Sequence, residues 1–162
     1  MNSERLNFSH YTVEDFDDYF QLVGNAAVMK MVTGHPDSKS EALKRFNDKL
    51  LIRHANPEIG RFKVTLLSDG SFVGHSKLEM TKENEAEIGY LLMPEYWGQG
   101  YGSEIAQAMV NLGKKTNGIH NLIAIIDPEN TASKRILEKQ GFQWDYDGEY
   151  IGLPAAYYKM EA

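Results

Sequence analysis

The sequence predicts an α/β (α+β) layer fold, with a mixed, largely antiparallel central sheet of about seven strands flanked by helices. Three observations predict it. The middle of the chain alternates apolar and polar residues with period two, while the stretches on either side repeat at helical spacing. The element order reads β-α-α-β-β-β-α-β-α-β-β. No internal repeat, low-complexity tract or long linker interrupts it, so residues 1–162 are expected to form a single domain.

Residues 5–11 alternate and form the first strand. Thr12 followed by Glu14 and Asp15 is a helix-start signal, with acids placed at the positive end of the dipole. Phe16, Tyr19, Phe20 and Val23 supply that helix's apolar stripe, and Gly24-Asn25 closes it. A short segment at 26–31 and a loop at 32–37 follow. Ser38 or Ser40 caps the next helix, in which Ala42, Leu43, Phe46, Leu50 and Leu51 recur at helical spacing. Residues 61–67, 71–80 and 85–93 read as three strands. Asp69-Gly70 turns the first pair, and Lys82-Glu83-Asn84 turns the second. Ile105, Ala106, Met109, Leu112 and Gly113 then share one helix face. A β-branched strand at 120–126, a helix at 130–140 and closing strands at 141–147 and 155–160 complete the order. The helix between 85–93 and 120–126 implies a local parallel βαβ unit.

The totals exclude several classes. A formal net charge of -6 disfavours general nucleic-acid binding, which needs Lys and Arg against phosphates. No apolar run approaches a membrane span, so no membrane partner is expected. The N-terminal residues lack a signal-peptide layout, and a cytoplasmic protein is expected. Without cysteine there is no disulfide framework or thiol nucleophile, and the five histidines show no ligand spacing, so no metal is predicted.

Between a strand and a helix lies Trp97-Gly98-Gln99-Gly100-Tyr101-Gly102-Ser103. Glycines at alternate positions let the backbone come close to a ligand and turn its N–H groups inward. The helix that follows adds the positive end of its dipole, so a phosphate is the natural guest. A P-loop would need Lys before Ser103, and the Rossmann fingerprint would need the third glycine one residue later.

The segment resembles the cofactor motif of the GNAT acetyltransferase superfamily, Gln/Arg-x-x-Gly-x-Gly/Ala, at Gly100 and Gly102. Trp97 departs from the Gln/Arg slot. In that departure, Tyr96 through Glu104 is similar to the ribosomal-protein alanine N-acetyltransferase branch. Glu87-Ile88-Gly89-Tyr90-Leu91-Leu92 before the loop, and Asn130-Thr131-Ala132-Ser133 with Leu137 to Phe142 after it, resemble the same branch.

The resemblance implies an acetyl-CoA-dependent N-acetyltransferase acting on a primary amine, with a protein N-terminus among the acceptors. Acetyl-CoA is then the co-substrate, its pantetheine arm pairing with backbone groups of Leu91, Leu92 and Met93. Its pyrophosphate rests on the N–H groups of Gln99, Gly100, Tyr101, Gly102 and Ser103, and Asn130 and Ser133 also hold the cofactor. Glu87 is the candidate base, with a salt-bridged strand residue as the alternative reading. The N–H of Leu92 is the implied oxyanion donor. Where many members carry an acid Tyr this chain has Leu137, which leaves Ser133 as the candidate acid, with helix capping as its alternative and Tyr146 or Tyr150 as substitutes. The missing Tyr also motivates a second reading, an acyl-CoA-binding regulatory module without turnover. A monomer or a homodimer fits the family.

Overall fold

The computed structural model describes residues 1–162. β1 (Leu6–His10), β2 (Gly60–Leu66), β3 (Phe72–Lys82), β4 (Glu85–Leu92), β5 (Asn121–Ile126), β6 (Gln143–Tyr150) and β7 (Leu153–Glu161) form one sheet in the order β1-β2-β3-β4-β5-β7-β6. Every neighbouring pair is antiparallel except β4 and β5. The connection between those two carries a long helix (Tyr101–Lys115), here α4, as the helical period after Gly102 predicts.

Helices cover both faces. α1 (Phe16–Val23), α2 (Ala26–Met29) and α3 (Lys39–Arg45) pack on one. There they bury a cluster of Tyr11, Tyr19, Leu22, Met29, Phe46 and Leu50. On the other, α4 and α5 (Thr131–Gln140) enclose the larger core, including Leu78, Ile88, Ile105, Met109, Leu122 and Leu137. Gly113 lets α4 lie close on β5, since a Cβ there would stand 2.7 Å from Leu122 Cδ2.

Several local details differ from the sequence reading. Ser38, not Ser40, caps α3. The Ser38 hydroxyl accepts from the Glu41 N–H, and the Glu41 carboxylate accepts from the Ser38 N–H at 2.8 Å. The helix does not continue evenly to Leu51. A π turn at Phe46–Leu50 lets the Leu51 N–H bond the Phe46 carbonyl, five residues back. Phe46 and Leu50 are buried, while Leu43, one turn earlier, is exposed. The last two strands are longer than predicted because they form one hairpin closed by the two-residue turn Ile151-Gly152.

Candidate active site

β4 and β5 pair only at Glu85↔Asn121, Ala86↔Leu122 and Glu87↔Ile123, and then part. On its other edge β4 stays in register with β3 as far as Gly74↔Leu92. Gly74 is required there, because a Cβ would lie 2.0 Å from the Leu91 carbonyl oxygen. The edge of β4 beyond Glu87 therefore faces a gap. A cavity of about 430 Å³ opens in that gap, walled by residues 87–91 of β4, residues 124–126 of β5, and Asn130, Ser133 and Leu137.

Leu91 and Leu92 of β4 and Met93 just after it, singled out from sequence, do not present equivalent backbone. The Met93 N–H donates to the Val73 carbonyl at 2.9 Å, so Met93 departs from the expectation of a free amide. The Leu91 carbonyl is turned toward Gly74. Alternation along an antiparallel ladder then aims the Leu92 N–H into the gap. The Leu92 carbonyl accepts from Trp97 Nε1 at 3.0 Å, so Trp97 ties the glycine loop back to the end of β4.

In the loop, Gly98 has φ 72° and Gly100 has φ 83°. Side chains rarely adopt that region. No backbone carbonyl takes the N–H of Gly98, Gln99 or Gly100. Tyr101, Gly102 and Ser103 open α4, where N–H groups have no partner within the helix. Gly102 has a second use: a Cβ there would meet Ile136 Cδ1 at 3.1 Å, so it lets α5 close on α4.

Arg5 holds the loop from the far end of the chain, a role that no local pattern marks. Its guanidinium lies 4.1 Å from the Tyr101 ring centroid. It also donates to the Gln99 carbonyl at 3.1 Å and pairs with Glu104 at 2.7 Å. Burial pushes the Glu104 carboxyl up, but hydrogen bonds from Ser3, the Arg5 N–H and the Arg5 side chain outweigh it and hold it below its ordinary value.

On the opposite sheet face, charged side chains cross three strands. Arg61 grips Glu79 with two bonds, of 2.7 Å and 2.8 Å. Such a fork is the stronger form of a charge-assisted pair. Glu79 stands in register with Glu87, a like-charge pair, and Lys77 lies between them, 3.9 Å from the first and 2.7 Å from the second. Without that cation, like charges directly opposite would destabilise the ladder. Glu87 thus lines the cavity with Oε1 engaged by Lys77 and Oε2 without a partner. Behind it His75 is buried and bonded through Nδ1 to the Tyr11 hydroxyl at 3.1 Å. Burial, reinforced by Arg61 and Lys77, holds the imidazole well below its ordinary value, so it is neutral. Arg45 pairs with Asp37, whose carboxyl burial nonetheless lifts above its ordinary value.

Of the predicted residues, Glu87, Leu91, Asn130, Ser133 and Tyr150 line this cavity, whereas Leu92, Met93 and residues 99–103 do not. The Asn130 side chain accepts from the Ser133 N–H at 3.0 Å and caps α5. Both residues also line the cavity. Leu137 is buried in the main core. Met31, Val32, Thr33 and Gly34 form one lip, and Tyr150, Ile151, Leu153 and Pro154 form the other. Tyr146, by contrast, stacks on Tyr157 with ring centroids 4.4 Å apart. Ile151 stands at φ 47°. That conformation is costly for a β-branched residue. No group of three or more His, Cys, Asp or Glu is arranged to hold a metal ion, and no helix is long and apolar enough to cross a membrane.

The sheet thus parts between β4 and β5 beside a glycine loop with free amides. The chain belongs to the GNAT acetyltransferases: residues 5–143 match the Acetyltransferase (GNAT) domain family. It is 28% identical to an uncharacterised N-acetyltransferase, YnaD of Bacillus subtilis, over 144 residues, 88% of this chain and 82% of that one. A GNAT-family acetyltransferase from Bacillus anthracis superposes with a TM-score of 0.85 at 26% identity, covering 99% of this chain and 97% of the other. RimL, a ribosomal L7/L12 alpha-N-protein acetyltransferase solved with coenzyme A, shares the fold at TM-score 0.81 and 19% identity, over 98% and 95% of the two chains. The protein is an acetyl-CoA-dependent N-acetyltransferase that moves an acetyl group to an amine.

Proposed function

We propose that the acceptor is a primary amine, in the first instance the α-amine of a peptide or protein, and that it reaches the thioester from the α1–α3 side. The observation that carries the donor side of this reading is the parting of β4 from β5 beside the free amides of residues 98–103. Together they match an extended pantetheine arm ending in a pyrophosphate. In this reading the arm pairs with Leu92, the pyrophosphate rests on Gln99, Gly100, Tyr101, Gly102 and Ser103, and Asn130 and Ser133 flank the thioester.

The amine nitrogen attacks the thioester carbonyl, a C–N bond forms and the C–S bond breaks. Glu87 takes the amine's proton, directly or through one water, with Lys77 fixing its orientation. The Leu92 N–H stabilises the oxyanion. Ser133 donates a hydrogen bond to the departing thiolate. The cavity wall carries Lys30, Arg45, Lys49, Arg61 and Lys77 against Glu87 and Asp127, and Lys30 and Lys49 have no carboxylate partner. A wall of that sign disfavours a polycation such as a polyamine.

The test is thiol release from acetyl-CoA across peptides, polyamines, aminoglycosides and small amines. Release with free N-terminal peptides and none with their N-acetylated forms supports the reading. Release with polyamines alone overturns the acceptor class. Tight CoA binding without turnover on any amine supports the regulatory module instead.

A further inference from the structure

The Tyr90 hydroxyl is buried and makes no hydrogen bond of full geometry in the free chain, although the Ser133 hydroxyl lies beside it. A buried hydroxyl without a full partner carries a desolvation cost, and in an enzyme groove it is a candidate for a bond completed when the ligand is seated. Tyr90 is on β4 beyond the last pair with β5, and its ring passes beneath the first turn of α4, where a Cβ on Gly102 would lie 3.8 Å from Tyr90 Cε2. Tyr90 and Ser133 line the same cavity from opposite walls.

We infer that Tyr90 is a positioning residue for Ser133. It donates a hydrogen bond to Ser133 Oγ and so aims the Ser133 O–H at the departing thiolate. The inference rests on the acetyl-transfer reading above. Its chemical logic is that β4 supplies a phenol to the cavity that Ser133 also lines. Two hydroxyls in series polarise each other, so the terminal donor meets a developing sulfur charge more strongly than Ser133 alone. Tyr90 keeps its own proton throughout. As the C–S bond breaks, its electron pair passes to sulfur, and the thiolate takes its proton from water after release. Burial pushes the phenol above its ordinary value, with the neighbouring Ser133 hydroxyl opposing, so Tyr90 stays a neutral donor where such enzymes work.

The test is a cycle of Tyr90→Phe, Ser133→Ala and the double variant, read by kcat, the KM for acetyl-CoA and thermal melting. Tyr90→Phe is expected to lower kcat about fivefold, the worth of one neutral hydrogen bond, with the KM within about twofold. Its melting temperature should hold or rise, because an unpaired buried hydroxyl has been removed. The double variant should be no slower than Ser133→Ala alone, since Tyr90 acts only through Ser133. Wild-type kcat in Tyr90→Phe, a loss confined to the KM, or multiplying losses in the double variant would each overturn the inference while leaving acetyl transfer standing. A wild-type chain that releases no thiol with any amine refutes acetyl transfer, and this inference with it.

Discussion

The two sheet faces are built from opposite materials. On the α4–α5 face the work falls to main chain: free amides at residues 98–103, an edge of β4 aimed into the gap, and side chains that mostly hold backbone in place, as Trp97 and Arg5 do. On the α1–α3 face it falls to side chains, in the ladder Arg61–Glu79, Lys77–Glu87 above a neutral His75. A donor shared by many enzymes can be held by peptide groups that any sequence provides. An acceptor that differs between enzymes has to be read by charge and shape. The proposed division assigns acetyl-CoA to the first face and the amine to the second.

Substitutions on the two faces should therefore fail differently. Glu87→Gln should lower kcat by roughly 10²–10⁴, the range of general-base catalysis, while acetyl-CoA affinity by calorimetry changes little. Full activity in that variant would remove Glu87 as the base. Gly100→Val should fail in the opposite sense, because Gly100 stands at φ 83°. A β-branched residue is strained there and crowds the phosphate, so acetyl-CoA affinity should fall about tenfold or more, with kcat at saturating donor better preserved.

The His75 prediction concerns stability on the acceptor face. Because the folded state holds this imidazole below its ordinary value of about 6.5, the unfolded chain binds the extra proton first. Its contribution is fully present above about pH 6.5 and is lost as pH falls from there toward the folded value. Melting temperature should drop between about pH 7 and pH 5.5, and His75→Gln should flatten that slope. An unchanged slope would show that another group drives it. The smallest effect is expected at the hairpin tip, where Ile151 has a positive φ. Ile151→Gly relieves that strain and should raise the melting temperature by about 2–4 °C, corresponding to roughly 1 kcal/mol.

The same division explains what the sequence revealed. Backbone devices leave local marks: the glycines at 98 and 100, the helical period after them, and the Asn130 cap three residues before the amide it accepts. Side-chain devices on the other face leave none, because they depend on strand register. Lys77 meets Glu87 only because β3 and β4 pair as they do. On the loop side Arg5 is equally hidden from local pattern, since it reaches Glu104 across 99 residues. The Phe46–Leu50 π turn and the exposed Leu43 are illegible too, because helical spacing reveals neither where a turn will widen nor which apolar residue lacks a neighbouring element to cover it. The unpaired Tyr90 hydroxyl reads in the sequence as one more aromatic on a strand.

Amide chemical shifts followed through an acetyl-CoA titration, and then an acceptor titration into the CoA complex, test the division most directly. Acetyl-CoA is expected to move the amides of Leu92 and residues 98–103 first and most, and the acceptor then to move residues 31–34 and 150–154 with little further change in the loop. Large donor-induced shifts confined to residues 31–34 and 150–154, with Leu92 and 98–103 silent, would contradict it.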